Sequence, residues 1–400
     1  MKPNRWICLL AALPLLCAVA DWPAGVQQWP LRPAPEHPAD IEDDFADLAP
    51  LGGQLAKAQV IALGEQTHGA SEEFRFKLRL LRYLHEKLGF DLLLLESGFY
   101  DMGRLGQALT HGESLDAQAP GNVFFMYAKS AEGRELLRYV EKQRRSLAFA
   151  GIDSQHSGEL SRTTLLDGLQ GAGALPADDA GWADYRQRVL ALIALNRQPP
   201  TDSQQAAFFA FNHRLQASLC AANTAAVDSA AWWCRVVASL DAQAHSLWSN
   251  DRDYQRDNAM GANAIWLVDQ LYRGRKAIIW AHTVHVAKGL QRDAEHLQAG
   301  EVMRRHWGDE RYQVVHFTAA AGAYRDFGDL KERRLATPSA GSLEARLPAH
   351  TVLLKANPPL TLSQYSIDYA VDGLPVPLQL GTHWDWLIAL PKVNPVRMTR

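Results

Sequence analysis

Glu65 and His68 stand in the segment Gly64-Glu65-Gln66-Thr67-His68-Gly69, directly after the short apolar run Val60-Ile61-Ala62-Leu63. Glu96 follows Leu92-Leu93-Leu94-Leu95, Asp153 and His156 follow Leu147-Ala148-Phe149-Ala150, and His282 and His285 follow Ala277-Ile278-Ile279-Trp280. Carboxylates beside imidazoles are equipment for activating water: a neutral imidazole takes the proton while a carboxylate orients the ring and stabilises the imidazolium. His68 is the candidate base, Glu65 and Glu96 its supports, and His282 or His285 the candidate donors to a developing oxyanion. Zinc ligation by Glu65, His68, His282 and His285 is the rival chemistry. The chain has neither a His-Glu-x-x-His helix nor a closed four-ligand spacing, so no metal is assigned. A single carboxylate after a strand usually caps a helix. Four such placements on one sheet edge are hard to attribute to capping.

They share an edge only if the apolar runs are parallel strands of one sheet, because sites in open parallel sheets form beyond the strands' carboxyl ends. The first unit reads that way. After Val60–Leu63 and a polar turn, residues 72–88 place apolar side chains at 74, 78, 81, 84 and 88, a helical spacing, with Gly89 as stop signal. The run Leu92–Leu95 then completes a β-α-β unit, which implies a parallel crossover. Residues 132–144 look helical before the run at 147–150. The expected fold is α/β: a mostly parallel central sheet flanked by helices, with a helical insertion. Residues 51–160 form its first half and the Ala-rich stretch 161–272 the insertion, a cap with helical stretches near 183–196, 203–223, 228–247 and 251–272. Residues 273–400 form the second half, with strands near 277–280, 313–318, 352–354 and 386–390.

Further candidates follow from these elements. Lys77, Asp153 and Arg256 are assigned to substrate binding, and Arg256 with Asp257 also to support of His282. Arg75, Arg79 and Arg82 share a helix with Lys77 and read as a mostly solvated face. Trp232, Trp233, Trp248 and Trp266 read as packing of the cap, and His316 and His383 as core or surface histidines.

The 400 residues are 47% hydrophobic and carry a net charge of −3, from 41 Lys+Arg against 44 Asp+Glu with no block of like charge. A sizeable core can therefore be buried, and a nucleic-acid partner is excluded in favour of a small molecule. There is no Gly-x-Ser-x-Gly elbow, no phosphate-binding Gly-x-x-x-x-Gly-Lys loop and no Gly-x-Gly-x-x-Gly after a strand, so neither a serine nucleophile nor a nucleotide cofactor is expected. No cofactor is assigned at all. Residues 1–20 read as a secretory signal: Lys2 and Arg5 precede the apolar stretch Trp6–Val19, and Ala18-Val19-Ala20 offers a cleavage site before Asp21. The expected location is periplasmic or secreted, with no stable membrane insertion after cleavage. Residues 21–50, rich in Pro, Ala and Asp, read as a leader before the fold. Cys8 and Cys17 leave with the signal, and Cys220 and Cys234 remain, either as a disulfide or as buried thiols.

Several motifs together resemble the erythromycin esterase family: Val60-Ile-Ala-Leu-Gly-Glu-Gln-Thr-His-Gly69, the helix bearing Glu72, Phe74, Lys77 and Arg79, Gly89-Phe90 leading to Leu94-Leu95-Glu96, and Arg256-Asp257-Asn258-Ala259-Met260 before Trp280-Ala281-His282-Thr283-Val284-His285. The similarity runs from about residue 55 to 290 and continues weakly to the C-terminus. It implies a metal-independent hydrolase that opens macrolide lactones by water attack, and hence antibiotic resistance. By the same resemblance His68 is the general base, Glu65 and Glu96 support it, and His282 and His285 line the site. Lys77 stands where antibiotic-inactivating members can have arginine, and Thr283 where asparagine is common. Distant relatives include haem-binding proteins, so the alternative is a periplasmic protein that holds haem or a metal without turnover.

Overall fold

In a computed structural model the chain is described over residues 22–173, 179, 181–222, 224–338, 342–360, 370–371, 374–375 and 378–399. The signal expected at 1–20, with Cys8 and Cys17, lies outside the described residues. The strands in chain order are β1 (Val26–Pro30), β2 (Val60–Glu65), β3 (Leu92–Gly98), β4 (Ala148–Asp153), β5 (Ala277–His282) and β6 (Tyr312–Ala319). There follow a hairpin of β7 (Ala323–Arg325) and β8 (Glu332–Arg334), then β9 (Val352–Ala356), the short pair β10 (Ala370–Val371) and β11 (Leu374–Pro375), and β12 (Trp386–Leu390). Eight of them form one sheet in the order β1-β9-β12-β6-β2-β5-β3-β4. From β12 to β4 every pairing is parallel, and β9 joins β12 and β1 antiparallel.

This order explains the convergence of the site. β2, β5, β3 and β4 are consecutive in the sheet, and they are the strands that end at Glu65, His282, Glu96-Ser97-Gly98 and Asp153. Their register sets Glu65 beside His282 and Gly98 beside Asp153.

The apolar runs are continuous because both faces are covered. Ile61, Leu63, Leu93, Leu95, Ile278 and Trp280 pack with side chains of the helices Ser71–Leu88 and Ala131–Lys142. Val60, Ala62, Leu92, Leu94, Ala277 and Ile279 point the other way, as strand alternation requires, and pack with the helices Ala230–Trp248 and Arg256–Trp266. Gly89 ends the first crossover helix in the left-handed conformation, φ 71°, which costs glycine little.

Between β4 and β5 the chain forms helices that include Leu165–Ala172, Trp182–Ile193, Asp202–Leu219, Ala230–Trp248 and Arg256–Trp266, with no strand among the described residues. Trp232, Trp233 and Trp248 are buried there, and the partly buried Trp266 packs against the same core with its ring 6.1 Å from that of Phe99. Cys220 and Cys234 form a disulfide across a separation of 14 residues, tying the end of one cap helix to the start of the next. Replacing both cysteines with serine is expected to lower stability by about 3 kcal/mol, the chain-entropy value for a loop of this size, read from the urea midpoint.

Two expectations are corrected here. Of the leader expected at 21–50, the described residues 22–50 are not free: β1 lies antiparallel on β9 from Val26 opposite Ala356 to Pro30 opposite Val352. Nor is the arginine face of the Ser71–Leu88 helix solvated. Arg79 is 2% exposed, with Nε 2.5 Å from Asp43 Oδ2 and Nη2 2.6 Å from Asp47 Oδ1, and Arg82 donates to the carbonyls of Pro38 and Ile41. The acidic stretch that resembled a leader is the counter-charge for that face. Burial pushes the Asp43 and Asp47 carboxyls up, but hydrogen bonds from Arg79 and from backbone amides outweigh it and hold both below the usual range. Being depressed in the folded state, these carboxylates stabilise the fold above the unfolded value of 3.8, and that contribution is lost as pH falls. Arg79→Ala removes the buried guanidinium from both, leaving them to Arg32 and to backbone amides, and is expected to cost roughly 1.5–3 kcal/mol in urea unfolding at neutral pH, the range for lost hydrogen bonds to charged groups.

Candidate active site

His68 sits in the turn after β2, 6% exposed, with Nδ1 2.9 Å from Glu65 Oε1. A carboxylate only accepts, so the ring proton is on Nδ1 and Nε2 carries a lone pair. Glu65 is fully buried behind the ring. Its Oε1 also accepts from the Tyr127 hydroxyl at 3.2 Å, and its Oε2 contacts Lys77 Nζ. The Nε2 of His68 opens on a cavity of about 570 Å³, with Glu96 Oε1 across from it at 3.9 Å. Burial pushes the His68 imidazole down, partly countered by Glu96 and reinforced by the cations His285 and Arg256, so it is neutral at neutral pH.

Glu96 is the hub of the opposite wall. Its Oε2 accepts the backbone N–H of His282 at 2.7 Å, while Oε1 lies 3.2 Å from His285 Nε2 and 3.8 Å from Arg256 Nη2. Burial alone would raise its carboxyl, but His285, His68 and Arg256 together hold it well below the usual carboxylate range. His285 sits between Glu96 and Asp257, whose Oδ1 is 2.6 Å from Nδ1. Against the opposing effect of burial, those two carboxylates push it up to about 10, so it is an imidazolium. Arg256 grips Asp153 with Nε at 3.0 Å and Nη2 at 2.6 Å, a bidentate pair.

The geometry redistributes several expected roles. Glu65, His68, Glu96, His282 and His285 are brought together, and Asp153 and Arg256 lie on the cavity wall. His282 is no oxyanion donor, because both ring nitrogens are occupied: Nε2 is 2.9 Å from the Gln66 carbonyl, and Nδ1 accepts from Val284 N–H. Burial brings it down to about 3, so it is neutral and works as a brace between strands. Asp257 supports His285 rather than His282. Lys77 is fully buried behind Glu65, with Nζ 4.3 Å from the centre of the Trp280 ring, and does not reach the cavity. His156 is buried outside the wall, its N–H bonded to Gln243 Oε1. His316 stacks on Trp384 with ring centres 4.1 Å apart.

Sequence reasoning missed Tyr127, whose only route to Glu65 is the fold, and the aromatic wall of Phe124, Phe125, Tyr324 and Phe327 facing the charged one.

With this geometry in place, comparison with known proteins is direct. The model of the erythromycin esterase family matches residues 85–375, well over half of the chain. The chain belongs to the erythromycin esterase family. The match begins after the Glu65–His68 turn, so those two residues enter through the sheet, where β2 lies between β5 and β6. A putative hydrolase, YbfO of Bacillus subtilis (strain 168), is 25% identical over 345 residues, covering 76% of this chain and 74% of that one. The erythromycin esterase type II of Escherichia coli is 33% identical over 125 residues, 30% of this chain and 29% of that protein. Family and relatives make this chain an esterase-like hydrolase. The fold is shared with a Bacillus cereus protein of solved structure (TM-score 0.71, 19% identity, 93% of this chain and 97% of that chain). It is shared also with a histidine-to-asparagine variant of the erythromycin esterase EreC in its open conformation (TM-score 0.65, 17% identity, 92% and 98%). Both bear out the mostly parallel α/β sheet.

Proposed function

We propose that this member of the erythromycin esterase family hydrolyses an ester or lactone of a small molecule by attack of a water activated by His68, without a metal. One observation carries the reading. Of the ring nitrogens of His68, His282 and His285, His68 Nε2 is the one not held in a hydrogen bond, and it faces the cavity. Water held between Nε2 and the substrate carbonyl gives its proton to the imidazole as its oxygen bonds to the carbonyl carbon. Glu65 offsets the imidazolium charge, and the cations His285 and Arg256, fixed by Glu96, Asp257 and Asp153, supply a positive field for the oxyanion. The imidazolium then returns the proton to the departing alkoxide, releasing acid and alcohol. The donor set favours this over a metal site, since the nitrogens of His282 and His285 already have partners. The same holds against haem ligation.

Purified protein from Asp21 onward, assayed on p-nitrophenyl esters and erythromycin with and without EDTA, tests the reading. Turnover that survives EDTA supports it. Turnover lost to EDTA points to zinc, and a haem titration that shifts the absorbance spectrum in a protein inert to every ester points to a binding protein.

The expected pH profile of kcat/KM is a bell. Activity falls on the acid side as His68 gains a proton, with a midpoint below the ordinary 6.5, and falls again near pH 10 as His285 loses its own. His285 has the raised value in the folded state, so its stabilising contribution is fully present below 6.5 and is lost as pH rises through about 10. An acid limb above 6.5 would assign the base to another group.

We also propose export. The Cys220–Cys234 disulfide suits an oxidising compartment, and N-terminal sequencing of the protein recovered from the periplasm should begin at Asp21. Retention of Lys2 and Arg5 would refute cleavage.

A further inference from the structure

The hairpin of β7 and β8 is docked on the catalytic turn itself. Arg325 N–H donates to the Gly69 carbonyl at 3.0 Å, and Arg325 Nε donates to the Val396 carbonyl at 3.0 Å. The approach is so close that a Cβ on Gly69 would stand 1.8 Å from the Arg325 carbonyl oxygen, which is why a glycine follows His68. The tip is internally fixed as well: Asp326 Oδ1 accepts from Gly328 N–H at 2.8 Å, and Asp326 N–H donates to the Lys331 carbonyl at 2.8 Å.

That tip carries Phe327. Its charged neighbours pair among themselves, Arg333 with Asp329 and Asp326, whereas Phe327 is 52% exposed. Of the exposed large hydrophobic side chains Ile41, Leu190, Leu195, Phe327 and Leu330, it is the one on the cavity wall. Its ring meets His68 edge-on with centres 5.3 Å apart and lies 6.3 Å from Phe124, which itself meets His68 at 4.9 Å. A half-exposed phenylalanine held by a fixed turn beside the reacting imidazole, rather than folded into the core, has apolar surface left for a ligand.

Building on the hydrolytic reading above, we infer that Phe327 and Phe124 form an apolar subsite beside His68. The subsite selects esters carrying an aliphatic acyl or alkoxy chain next to the scissile bond, and Phe327 is a specificity-determining residue. The opposite wall, with Glu96, Asp153 and Arg256, is polar, so the chain of the substrate has one apolar side to choose.

The test compares ethyl acetate with ethyl octanoate and octyl acetate by pH-stat. Each buried methylene is worth roughly fourfold in binding, so the wild type should prefer a long ester by about tenfold or more in kcat/KM even if few methylenes are buried. Which of the two long esters is favoured tells which side of the bond lies on the aromatic wall. Phe327→Ala should cut the long-to-short ratio by about tenfold, chiefly through KM, and Phe327→Leu should restore most of it, since the effect is apolar area. A wild type without chain-length preference, or a ratio unmoved by Phe327→Ala, overturns the inference. Binding of the uncleavable amide N-octylacetamide, measured by calorimetry, separates the two claims. Binding weakened by Phe327→Ala in a protein inert to all esters would uphold the subsite and sink the hydrolytic reading. No binding, together with no ratio effect, would sink the subsite alone.

Discussion

Replacement of His68 with alanine is expected to reduce kcat/KM for ester hydrolysis by roughly 10²–10⁴-fold, the range for loss of a positioned general base. The change should appear in kcat, because the base acts in the transition state and the walls that hold substrate are untouched. The fold should survive. The ring lies at the cavity surface, and its neighbours Glu65 and Glu96 keep other partners, Lys77 and Tyr127 for the first and the His282 amide and His285 for the second. Added imidazole enters the vacated space and should restore part of the rate, with an acid limb that follows the free imidazole. His282→Ala is the useful contrast. It removes a brace between Gln66 and Val284, so its loss should come with a lower thermal midpoint and no imidazole rescue. An alanine variant at 68 that keeps its rate within tenfold of wild type would remove His68 from the mechanism.

The sheet was legible because strands buried on both faces are written as unbroken apolar runs. Val60–Leu63, Leu92–Leu95 and Ala277–Trp280 need no partner to be recognised, and the polar residues after each mark the same edge. β1 was not legible. Val26-Gln27-Gln28-Trp29-Pro30 is a half-buried edge strand in a Pro-rich stretch, and its order comes from β9, more than three hundred residues away in the chain. Charge pairing failed for the same reason. Arg79 and Arg82 on a helix look solvated until Asp43, Asp47 and two carbonyls arrive from a segment with no periodicity of its own.

Within the site, residue types and strand ends identified which groups meet, but not which nitrogen of which histidine is occupied. That depends on backbone atoms, the Gln66 carbonyl and the Val284 amide, which carry no signature in the sequence. Lys77 was placed one layer too far forward, because helical spacing gives a face and not a depth. The aromatic wall was hidden further still: Phe124 and Phe327 come from loops about two hundred residues apart, and only the docking of the hairpin on Gly69 brings them to one histidine.

The second large effect belongs to Glu65→Gln, and its origin lies in Lys77. Lys77 Nζ is buried against one oxygen of Glu65 while the other oxygen receives His68 Nδ1–H and the Tyr127 hydroxyl. Burial pushes the Lys77 ammonium well below its ordinary value, but the amine has N–H groups to donate with or without its extra proton. An amide in that place that turns its oxygen to the Lys77 N–H turns its NH₂ to the histidine. Nδ1 then has to accept, the ring proton moves to Nε2, and the nitrogen that should take a proton from water no longer has a lone pair. Loss of the productive tautomer costs about 10⁴-fold in kcat where a carboxylate–histidine pair has been broken this way, so a fall of roughly 10³–10⁴-fold is expected here. Removing the constraint should undo part of it. In the double variant Glu65→Gln with Lys77→Met the amide is free to present its oxygen to Nδ1–H, the tautomer returns, and only the charge on the imidazolium goes uncompensated. The double variant is therefore expected to be more active than the single one, by roughly tenfold or more if the tautomer accounts for most of the loss. Tyr127→Phe, which deletes one neutral donor, should cost only about fivefold. If the double variant is no more active than Glu65→Gln alone, charge compensation and not the tautomer is what Glu65 supplies, and Lys77 serves only to keep that charge buried.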